Sequence, residues 1–292
     1  MKMPRKKHRL KEKLKGILAS SDLNLLFNSY DIIGDIAVIK VPEKLVPKSS
    51  IIAKAIMKTH RHVKTVLKQV TPISGKLRLR ELEWITGEKK TETVHKEFGC
   101  LFKVDLEKCY FSPRLLYERK RITDLVGNGE VVINMFAGVG CFSILIAKYT
   151  KVKKVYSIDI NPVAIKYLSE NAKLNNVEDI VEPIKGDSKK VILKLFRGKA
   201  DRVLMPLPEK AYEYLDYAIE ALNARGGWIH YYDFCQASKG ENPVLKICDK
   251  VSQKLLKRKL IFEIKLGRIV RSVGPRLYQV VLDIYVRKIG YD

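Results

Sequence analysis

The sequence is poor in cysteine and has no long apolar run, and each absence excludes a class of protein. Its five cysteines are odd in number, scattered and without C-x-x-C spacing. This argues against a disulfide framework and a zinc site, and it predicts a reduced, cytoplasmic location. No apolar run approaches the ~20 residues of a membrane span, and the basic N-terminus lacks the apolar core of a secretion signal. His60 and His62 have no carboxylates at ligand spacing, so we expect no metal.

Acidic residues are also few relative to basic ones. The 292 residues include 56 Lys and Arg against 32 Asp and Glu, a formal net charge of +24. Residues 1–16 hold eight of the basic residues and one acid, and a second dense patch lies near residue 257. A lysine-rich proteome would also raise the charge, but clustering favours a polyanion, whose binding releases counterions. We predict nucleic-acid contacts for the basic residues of the second patch, Lys254, Lys257, Arg258 and Lys259.

The segment Val131 to Gly140 reads VVINMFAGVG and predicts a cofactor site. An apolar strand, a tight glycine turn and a helix N-terminus let backbone approach a ligand closely. About twenty residues later a second apolar strand ends in Asp159, placed to accept hydrogen bonds from ribose hydroxyls. A purely structural turn in another α/β domain would look similar. The F-x-G-x-G form followed by I-D-x-N-P resembles class I S-adenosylmethionine methyltransferases more than dinucleotide-binding proteins.

From Val131 onward strands and helices alternate regularly, and two antiparallel strands end the chain. This pattern predicts an α/β fold of the class I S-adenosylmethionine methyltransferase type, with a Rossmann-like seven-stranded sheet. The predicted strands are Val155–Ile160, Val181–Lys185, Arg202–Met205, Gly227–Phe234, Lys265–Val273 and Tyr278–Arg287. The predicted helices are Phe142–Tyr149, Pro162–Leu174, Lys189–Phe196, Glu209–Leu222 and Val244–Leu260.

Before Val131 the pattern differs and predicts a smaller module. Alternating apolar residues predict strands over Tyr30–Val41 (around Gly34-Asp35), Val63–Val70 and Leu77–Trp84, and in the Val94–Val104 region, where Glu97-Phe98-Gly99 is expected to be a turn. An amphipathic helix is predicted over Pro47–His60. The domain prediction has four parts: a flexible basic arm (1–16), a small α+β RNA-recognition domain (17–104), a connector carrying an active-site motif (105–130) and the methyltransferase domain (131–292). The helical part of the connector is expected from Arg114 to Leu125.

Two further motifs make the resemblance more specific. The connector reads YFSPRLLYERKR from Tyr110 to Arg121, and the small module carries GKLRLRELE from Gly75 followed by T-V-H at Thr93. Together with the glycine turn, these segments resemble the archaeal and eukaryotic tRNA (guanine(37)-N1)-methyltransferase family. The resemblance implies methyl transfer from S-adenosylmethionine to N1 of guanosine 37, with the anticodon stem-loop of tRNA as the partner. We expect a monomer.

The resemblance also implies roles for particular residues. Glu118 matches the family's proposed general base, and Arg78 its proposed arginine for charge developing on O6. From the residues alone, Glu118 could equally be an ion-pair partner on a helix surface and Arg78 part of a solvated strand face. Asp187 could be a helix N-cap instead of an adenine contact, and Arg114 a helix N-terminal salt bridge. The cofactor contacts implied are Arg114, Phe136, Ala137, Gly138, Val139, Gly140, Asp159, Ile160, Asp187 and Pro206.

Two departures from the family pattern leave the substrate open. Pro206 stands where relatives usually have an asparagine that would offer an amide, and Asn134 stands where many have aspartate. An archaeal branch that also methylates C7 of 4-demethylwyosine, in wyosine biosynthesis, resembles the chain at Pro206. The related aminocarboxypropyl transferases keep F-S-P but lack an arginine at position 114. A catalytically silent tRNA-binding protein is the remaining alternative. His230 is expected to be a packed core histidine.

Overall fold

The computed structural model describes residues 10–288, which divide into two compact units. The N-terminal unit comprises residues 10–97 and Leu101–Pro113, and the C-terminal unit comprises Phe98–Cys100 and residues 114–288. Within the described range, no helix is long and apolar enough to cross a bilayer. The same range contains no group of three or more His, Cys, Asp or Glu residues that could hold a metal ion.

The N-terminal unit is a four-stranded sheet packed against helices. Strand order is β1-β2-β3-β4, with β2 and β3 parallel and the outer pairs antiparallel. The fully buried Ile52 and Ile56 come from one face of the helix that covers the sheet. The elements are α1 (Leu10–Leu14), α2 (Ser20–Leu25), β1 (Asp31–Ile33), β2 (Ile36–Ile39), a 3-10 helix (Glu43–Lys48), α3 (Ser49–Thr59), β3 (Thr65–Gln69), β4 (Leu82–Gly87), and the separate pair β5 (Glu92–Glu97) and β6 (Cys100–Asp105).

The region expected as a strand over Tyr30–Val41 contains the hairpin of β1 and β2, and two further predictions for this unit need correction. Residues 1–9 of the predicted arm lie outside the described residues, but α1 is a helix whose Leu10 and Leu14 are buried in the core of this unit. Its leucines four residues apart place apolar surface on one helix face. The strand expected from Leu77 begins only at Leu82, because residues 74–79 form a tight loop closed by backbone hydrogen bonds between Ser74 and Leu79.

The Thr93-Val-His95 motif has a structural explanation in this unit. The hydroxyl of Thr93 accepts a hydrogen bond from the Asp35 backbone N–H at 3.1 Å. Nδ1 of His95 accepts one from the Gly34 N–H at 3.0 Å. A Cβ on Gly34 would come within 2.1 Å of the Thr93 hydroxyl, so only glycine lets the β1–β2 turn approach this closely. The motif therefore fixes the turn of this hairpin.

The C-terminal unit contains the predicted seven-stranded sheet. Its order is β12-β13-β11-β10-β7-β8-β9, with the strands from β11 to β9 parallel and β13 antiparallel to both its neighbours. The elements are α4 (Leu116–Leu125), β7 (Val131–Asn134), α5 (Cys141–Tyr149), β8 (Lys154–Asp159), α6 (Pro162–Leu174), β9 (Val181–Lys185), α7 (Ser188–Val191), β10 (Arg202–Met205), α8 (Pro208–Ala221), β11 (Gly227–Gln236), α9 (Pro243–Lys257), β12 (Ile261–Gly274) and β13 (Leu277–Arg287).

The order of the strands locates the ligand crevice. The chain moves outward from β7 to β8 and β9 on one side, then returns to β10 and β11 on the other. In open parallel sheets, the carboxyl ends of the two strands at such a switch point form the binding crevice. Here the glycine turn follows β7 and the Pro206 segment follows β10.

Most predicted elements of this unit agree closely with the structure. The strand expected from Lys265 begins at Ile261, and three helices also differ at their ends. The helix expected over Lys189–Phe196 is a short α7 that continues as a π-helical turn, Ile192–Phe196. The connector helix begins at Leu116, after a 3-10 turn over Pro113–Leu115. α9 ends at Lys257 instead of Leu260, because Lys259 adopts a left-handed backbone with φ 54°, which does not continue a right-handed helix.

Candidate active site

The glycine turn after β7 has the backbone that its sequence predicts. Gly138 (φ 55°) and Gly140 (φ 96°) are both left-handed, and Gly140 caps the N-terminus of α5. A Cβ on Gly140 would press on Ile144 and Leu168, each 3.0 Å away. Larger residues would therefore strain the turn and push it outward. The turn presents backbone N–H groups at a helix N-terminus, where a ligand can accept them.

Asp159 locks this turn to the end of β8. One carboxylate oxygen accepts a hydrogen bond from the Gly138 N–H at 2.7 Å, and the other accepts one from the Asn161 N–H at 2.8 Å. Burial raises the pKa of Asp159 above its ordinary value, against the lowering effect of these backbone donors. A carboxylate can accept more hydrogen bonds than these backbone donors provide. The side chain is partly exposed and can therefore accept ribose hydroxyls while it holds the turn.

The remaining predicted cofactor residues differ in exposure. Ala137 and Val139 are buried, while Phe136, Ile160 and Pro206 are partly exposed at the carboxyl ends of their strands. The N–H of Ala137 bonds to the Ile158 carbonyl at 2.9 Å. The ring of Phe136 packs edge-on against Tyr214, with centres 5.3 Å apart. A crevice with apolar walls and few polar groups fits an adenosine-bearing ligand.

Asp187 occupies the position that its structural alternative describes. Asp187 caps α7 by accepting the Lys189 N–H at 2.9 Å, and it also accepts the Tyr214 hydroxyl at 3.0 Å. Arg114 lies exposed in the 3-10 turn that precedes α4. Their cofactor roles stay predictions.

The departure at Asn134 fits its surroundings. The side chain is fully buried and donates from its amide to the Ser143 hydroxyl at 3.1 Å, while Ser143 also bonds to Ser157 at 2.8 Å. An ionised aspartate could not donate this bond, whereas the neutral amide does so without placing a charge in the core. Asn134 therefore supports the strand beneath the turn.

Glu118 is buried in an ion-pair network rather than on a helix surface. Its side chain is 1% exposed and accepts from the Arg121 guanidinium at 2.6 Å. It also accepts from the Tyr232 hydroxyl at 2.8 Å. Burial, followed by the charge of Glu118, raises the pKa of Tyr232 well above its ordinary value, so this hydroxyl stays a donor. Two tight donors hold the carboxylate in one orientation.

The network continues inward from Arg121. Its guanidinium also binds Asp283 at 2.5 Å, and Asp283 accepts from Nδ1 of His230 at 2.6 Å. Nε2 of His230 lies 2.6 Å from Arg202, which can only donate. His230 is therefore the neutral Nδ1–H tautomer, in agreement with the lowering of its pKa by burial. The core position expected for His230 is confirmed, but its partners could not be read from sequence spacing.

Arg78 belongs to the N-terminal unit. It sits in the loop before β4 with φ 56°, and its guanidinium lies 4.5 Å from the centre of the Tyr110 ring. The interpretation of Arg78 as one residue of a regular strand face is wrong. A left-handed backbone at a non-glycine residue is uncommon and often marks functional positions.

The predicted RNA-binding residues fall into two groups. Lys254 binds Asp216 at 3.1 Å and the Tyr212 carbonyl at 2.6 Å, and Arg258 binds the same carboxylate at 2.9 Å. Burial acts to raise the pKa of Asp216, but the hydrogen bonds and charges of these two cations outweigh it. The pKa of Asp216 therefore lies below its ordinary value. Lys257 and Lys259 are exposed. These two lysines are therefore better placed for phosphate contacts than the paired residues.

Comparison with known proteins identifies the family. Residues 93–259 match the TRM5/TYW2 methyltransferase domain, and residues 10–91 match the TYW2 N-terminal domain. The chain is 45% identical over 258 residues to tRNA (guanine(37)-N(1))-methyltransferase Trm5b of Pyrococcus abyssi, covering 88% of this chain and 74% of that protein. It is 39% identical to tRNA 4-demethylwyosine(37)-methyltransferase Taw21 of Saccharolobus solfataricus, covering 89% and 94%. It is 37% identical to tRNA(Phe) (4-demethylwyosine(37)-C(7)) aminocarboxypropyltransferase of Methanocaldococcus jannaschii, covering 87% and 96%.

Solved structures agree with this assignment. The complex of aTrm5 with tRNALeu matches with a TM-score of 0.81 and 36% identity, covering 98% of this chain and 80% of that one. Methanocaldococcus jannaschii TYW2 in complex with AdoMet matches with a TM-score of 0.66 and 32% identity, covering 89% and 100%. The predicted class I methyltransferase fold and family are confirmed. The chain belongs to the TRM5/TYW2 methyltransferase family.

Proposed function

We propose that the chain is an S-adenosylmethionine-dependent tRNA methyltransferase that acts at position 37, beside the anticodon. Its targets are N1 of guanosine and C7 of 4-demethylwyosine. The observation that carries the cofactor assignment is the pair of bonds from Asp159 to the Gly138 and Asn161 N–H groups. They shape a glycine turn that fits the adenosine and methionine parts of the cofactor. The basic composition and the match to tRNA enzymes support tRNA as the partner.

The cofactor supplies an electrophilic methyl group on a sulfonium. Asp159 binds the ribose, and the turn from Phe136 to Gly140 contacts the rest of the cofactor. Glu118 accepts the N1 proton of guanine, which is a weak nucleophile until it is deprotonated. Arg78 stabilises the negative charge that develops on O6. The target base has to leave the anticodon-loop stack, at a cost of a few kcal/mol that backbone contacts offset.

Pro206 is the position that bears on the choice of base. It has neither a side-chain donor nor an N–H, and it is partly exposed directly after β10. A less polar crevice suits the bulkier tricyclic base, so both bases are substrates. Pro206→Asn adds an amide near the polar edge of guanine and should raise the ratio of guanosine to tricyclic product.

The test is mass spectrometry of nucleosides from two tRNAs, one with guanosine 37 and one with 4-demethylwyosine, after incubation with enzyme and cofactor. Methyl products from both support the proposal, and a product from one alone restricts the substrate to that base. Label carried from the methionine carbons of the cofactor instead of its methyl would reveal an aminocarboxypropyl transferase. No transfer of either kind would leave a tRNA-binding protein. We further propose that the enzyme is cytoplasmic and works as a monomer.

A further inference from the structure

The exposed Tyr117 and the partly buried Arg268 form a pair beside Glu118, the proposed general base. Tyr117 precedes the buried Glu118 in α4, yet its side chain is 65% exposed. The guanidinium of Arg268, on β12, lies 4.9 Å from the centre of the Tyr117 ring. An exposed aromatic ring steadied by an arginine is the kind of surface on which nucleobases stack.

The register of the sheet explains why this pair meets Glu118. Arg268 is paired with Val281 across β12 and β13, and Val281 is paired with Tyr232 across β13 and β11. Paired residues on neighbouring strands point to the same face. Arg268 and Tyr232 therefore share the sheet face that Glu118 contacts, with Glu118 2.8 Å from Tyr232 and 3.7 Å from Arg268.

The two sides of the Glu118 carboxylate differ in access. Its inner partners are the Arg121 side chain, 13% exposed, and the 1%-exposed Tyr232. The Arg268 side chain is 26% exposed. At 3.7 Å its contact is longer than a hydrogen bond, so Arg268 can shift without breaking one. The target nucleobase therefore reaches the Glu118 carboxylate from the Arg268 side.

A charge count makes Arg268 the counter-charge of Glu118. The groups that face the network are Arg121 from α4, His230 and Tyr232 from β11, Asp283 from β13, Arg268 from β12 and Arg202 from β10. Asp283 offsets the charge of Arg121, Glu130 offsets that of Arg202, His230 is neutral, and Tyr232 keeps its proton. Arg268 supplies the remaining positive charge, which attracts the Glu118 carboxylate towards its side.

We propose that Tyr117 is the platform on which the target nucleobase stacks and that Arg268 is a positioning residue that holds the Glu118 carboxylate towards that nucleobase. This rests on the proposed function, in which Glu118 accepts the N1 proton. The electron pair left on N1 then forms the bond to the methyl carbon. The carbon–sulfur bond breaks with its pair on sulfur, and the proton stays on Glu118 until solvent removes it.

Stacking is tested without chemistry, using the full chain, S-adenosylhomocysteine and tRNA that carries 2-aminopurine at position 37. Tyr117→Ala should brighten the bound fluorophore and weaken binding by at least about 5-fold, as expected when a stacked base is lost. Tyr117→Phe keeps the ring and should behave like wild type. Equal emission from Tyr117→Ala and Tyr117→Phe would overturn the platform.

The role of Arg268 is tested by single-turnover methyl transfer at saturating tRNA and cofactor. Arg268→Gln should lower the rate by about 10-fold with little change in tRNA affinity, as expected when a group that orients the base is lost, and Arg268→Lys should restore the rate. Lys265→Gln is the control, because Lys265 is on the same strand but pairs with Glu263. An unchanged rate in Arg268→Gln would overturn the positioning role.

The two arms separate this inference from the proposed function. Wild-type protein that transfers no methyl group but shows Tyr117-dependent emission would refute the proposed function and support the platform. Normal transfer with no effect of either variant would support the proposed function and refute the platform and the positioning role.

Discussion

At the scale of single residues, Glu118 is both a structural partner and the proposed base, and its substitution should separate the two. Glu118→Gln should lower the single-turnover rate by roughly 100-fold or more, because general-base catalysis contributes on that scale. Cofactor affinity should change little. The effect on folding should be modest, since Arg121 keeps Asp283 as a partner. Rapid-quench methyl transfer and thermal unfolding measure the two effects.

Asp124→Asn is the matched control for Glu118→Gln. Asp124 is an exposed carboxylate on the same helix, and it pairs with Lys120. Exposed pairs of this kind contribute at most about 1 kcal/mol, so its loss should leave the rate unchanged. Equal rates for Glu118→Gln and Asp124→Asn would show that Glu118 has only a structural role.

Asp159 should respond differently, because it acts on the cofactor and not on the base. In Asp159→Asn one of the two oxygens that accept backbone N–H groups becomes an amide donor. The turn then loses an acceptor, and the ribose loses charged acceptors. We expect affinity for S-adenosylhomocysteine to fall by about 10-fold or more, as for one lost charge-assisted hydrogen bond. Calorimetric titration measures this, with the exposed Glu182→Gln as control, and unchanged affinity would refute the ribose role.

At the scale of secondary-structure elements, α1 divides the basic N-terminal segment into two parts. Removing residues 1–9 deletes five Lys and Arg and should weaken tRNA binding and flatten its salt dependence. Removing residues 1–16 also deletes the buried Leu10 and Leu14. Each buried leucine contributes about 2 kcal/mol, so the longer truncation should lower the unfolding temperature as well. Equal unfolding temperatures for the two truncations would argue against a packed α1.

The end of α9 offers a second test at this scale. Lys257 and Lys259 are exposed, whereas Lys254 and Arg258 are paired with Asp216. Lys257→Ala combined with Lys259→Ala should lower the slope of log affinity against log salt by about two, one for each phosphate contact. Lys166→Ala is the control, because Lys166 lies on α6 and its side chain is 75% exposed. A slope equal to that of the control would place the RNA elsewhere.

At the scale of the whole molecule, the buried network from Glu118 to Arg202 should make stability depend on pH. Burial acts to raise the pKa of Asp283, but hydrogen bonds from His230 and Arg121 outweigh it and lower the pKa to about 2. A carboxyl with a lowered folded pKa stabilises the fold above its ordinary value of 3.8, and this contribution disappears as pH falls towards 2. Its size is roughly 2 kcal/mol. Burial lowers the pKa of His230 in the folded protein below its ordinary value of 6.5, so the fold also loses stability as pH falls below that value.

Urea unfolding between pH 7 and pH 3 measures this dependence. A Trp84→Phe background leaves Trp228, on β11, to report on the C-terminal unit. The unfolding free energy should decrease steadily with acid. Asp283→Asn should lower stability at pH 7 and flatten the fall below pH 4. A profile that is the same with and without Asp283 would contradict the assigned pKa.

Much of the fold follows from local sequence signals. Apolar strands that alternate with helical segments along the chain placed most strands of the large sheet. Pro162 after Asn161 marked the start of α6, where Asn161 caps the helix. Left-handed glycines and an acidic strand end also located the cofactor turn. One error arose where a tight local turn replaced an expected strand, as in the loop closed by Ser74 and Leu79. Another arose where a longer-range contact overrides a local pattern, as in the packing of α1.

By itself, the sequence determined the class I fold, the glycine turn, Asp159 and the family, because each depends on backbone conformation or on residues close together in the chain. Only the tertiary structure decided the surroundings of Glu118. Its partners Tyr232 and Arg268 are more than 100 residues away, and they meet it because strand register brings β11 and β12 to one face. Spacing along the chain carries no information about such a meeting, whereas packing determines burial, charge balance and access to the base.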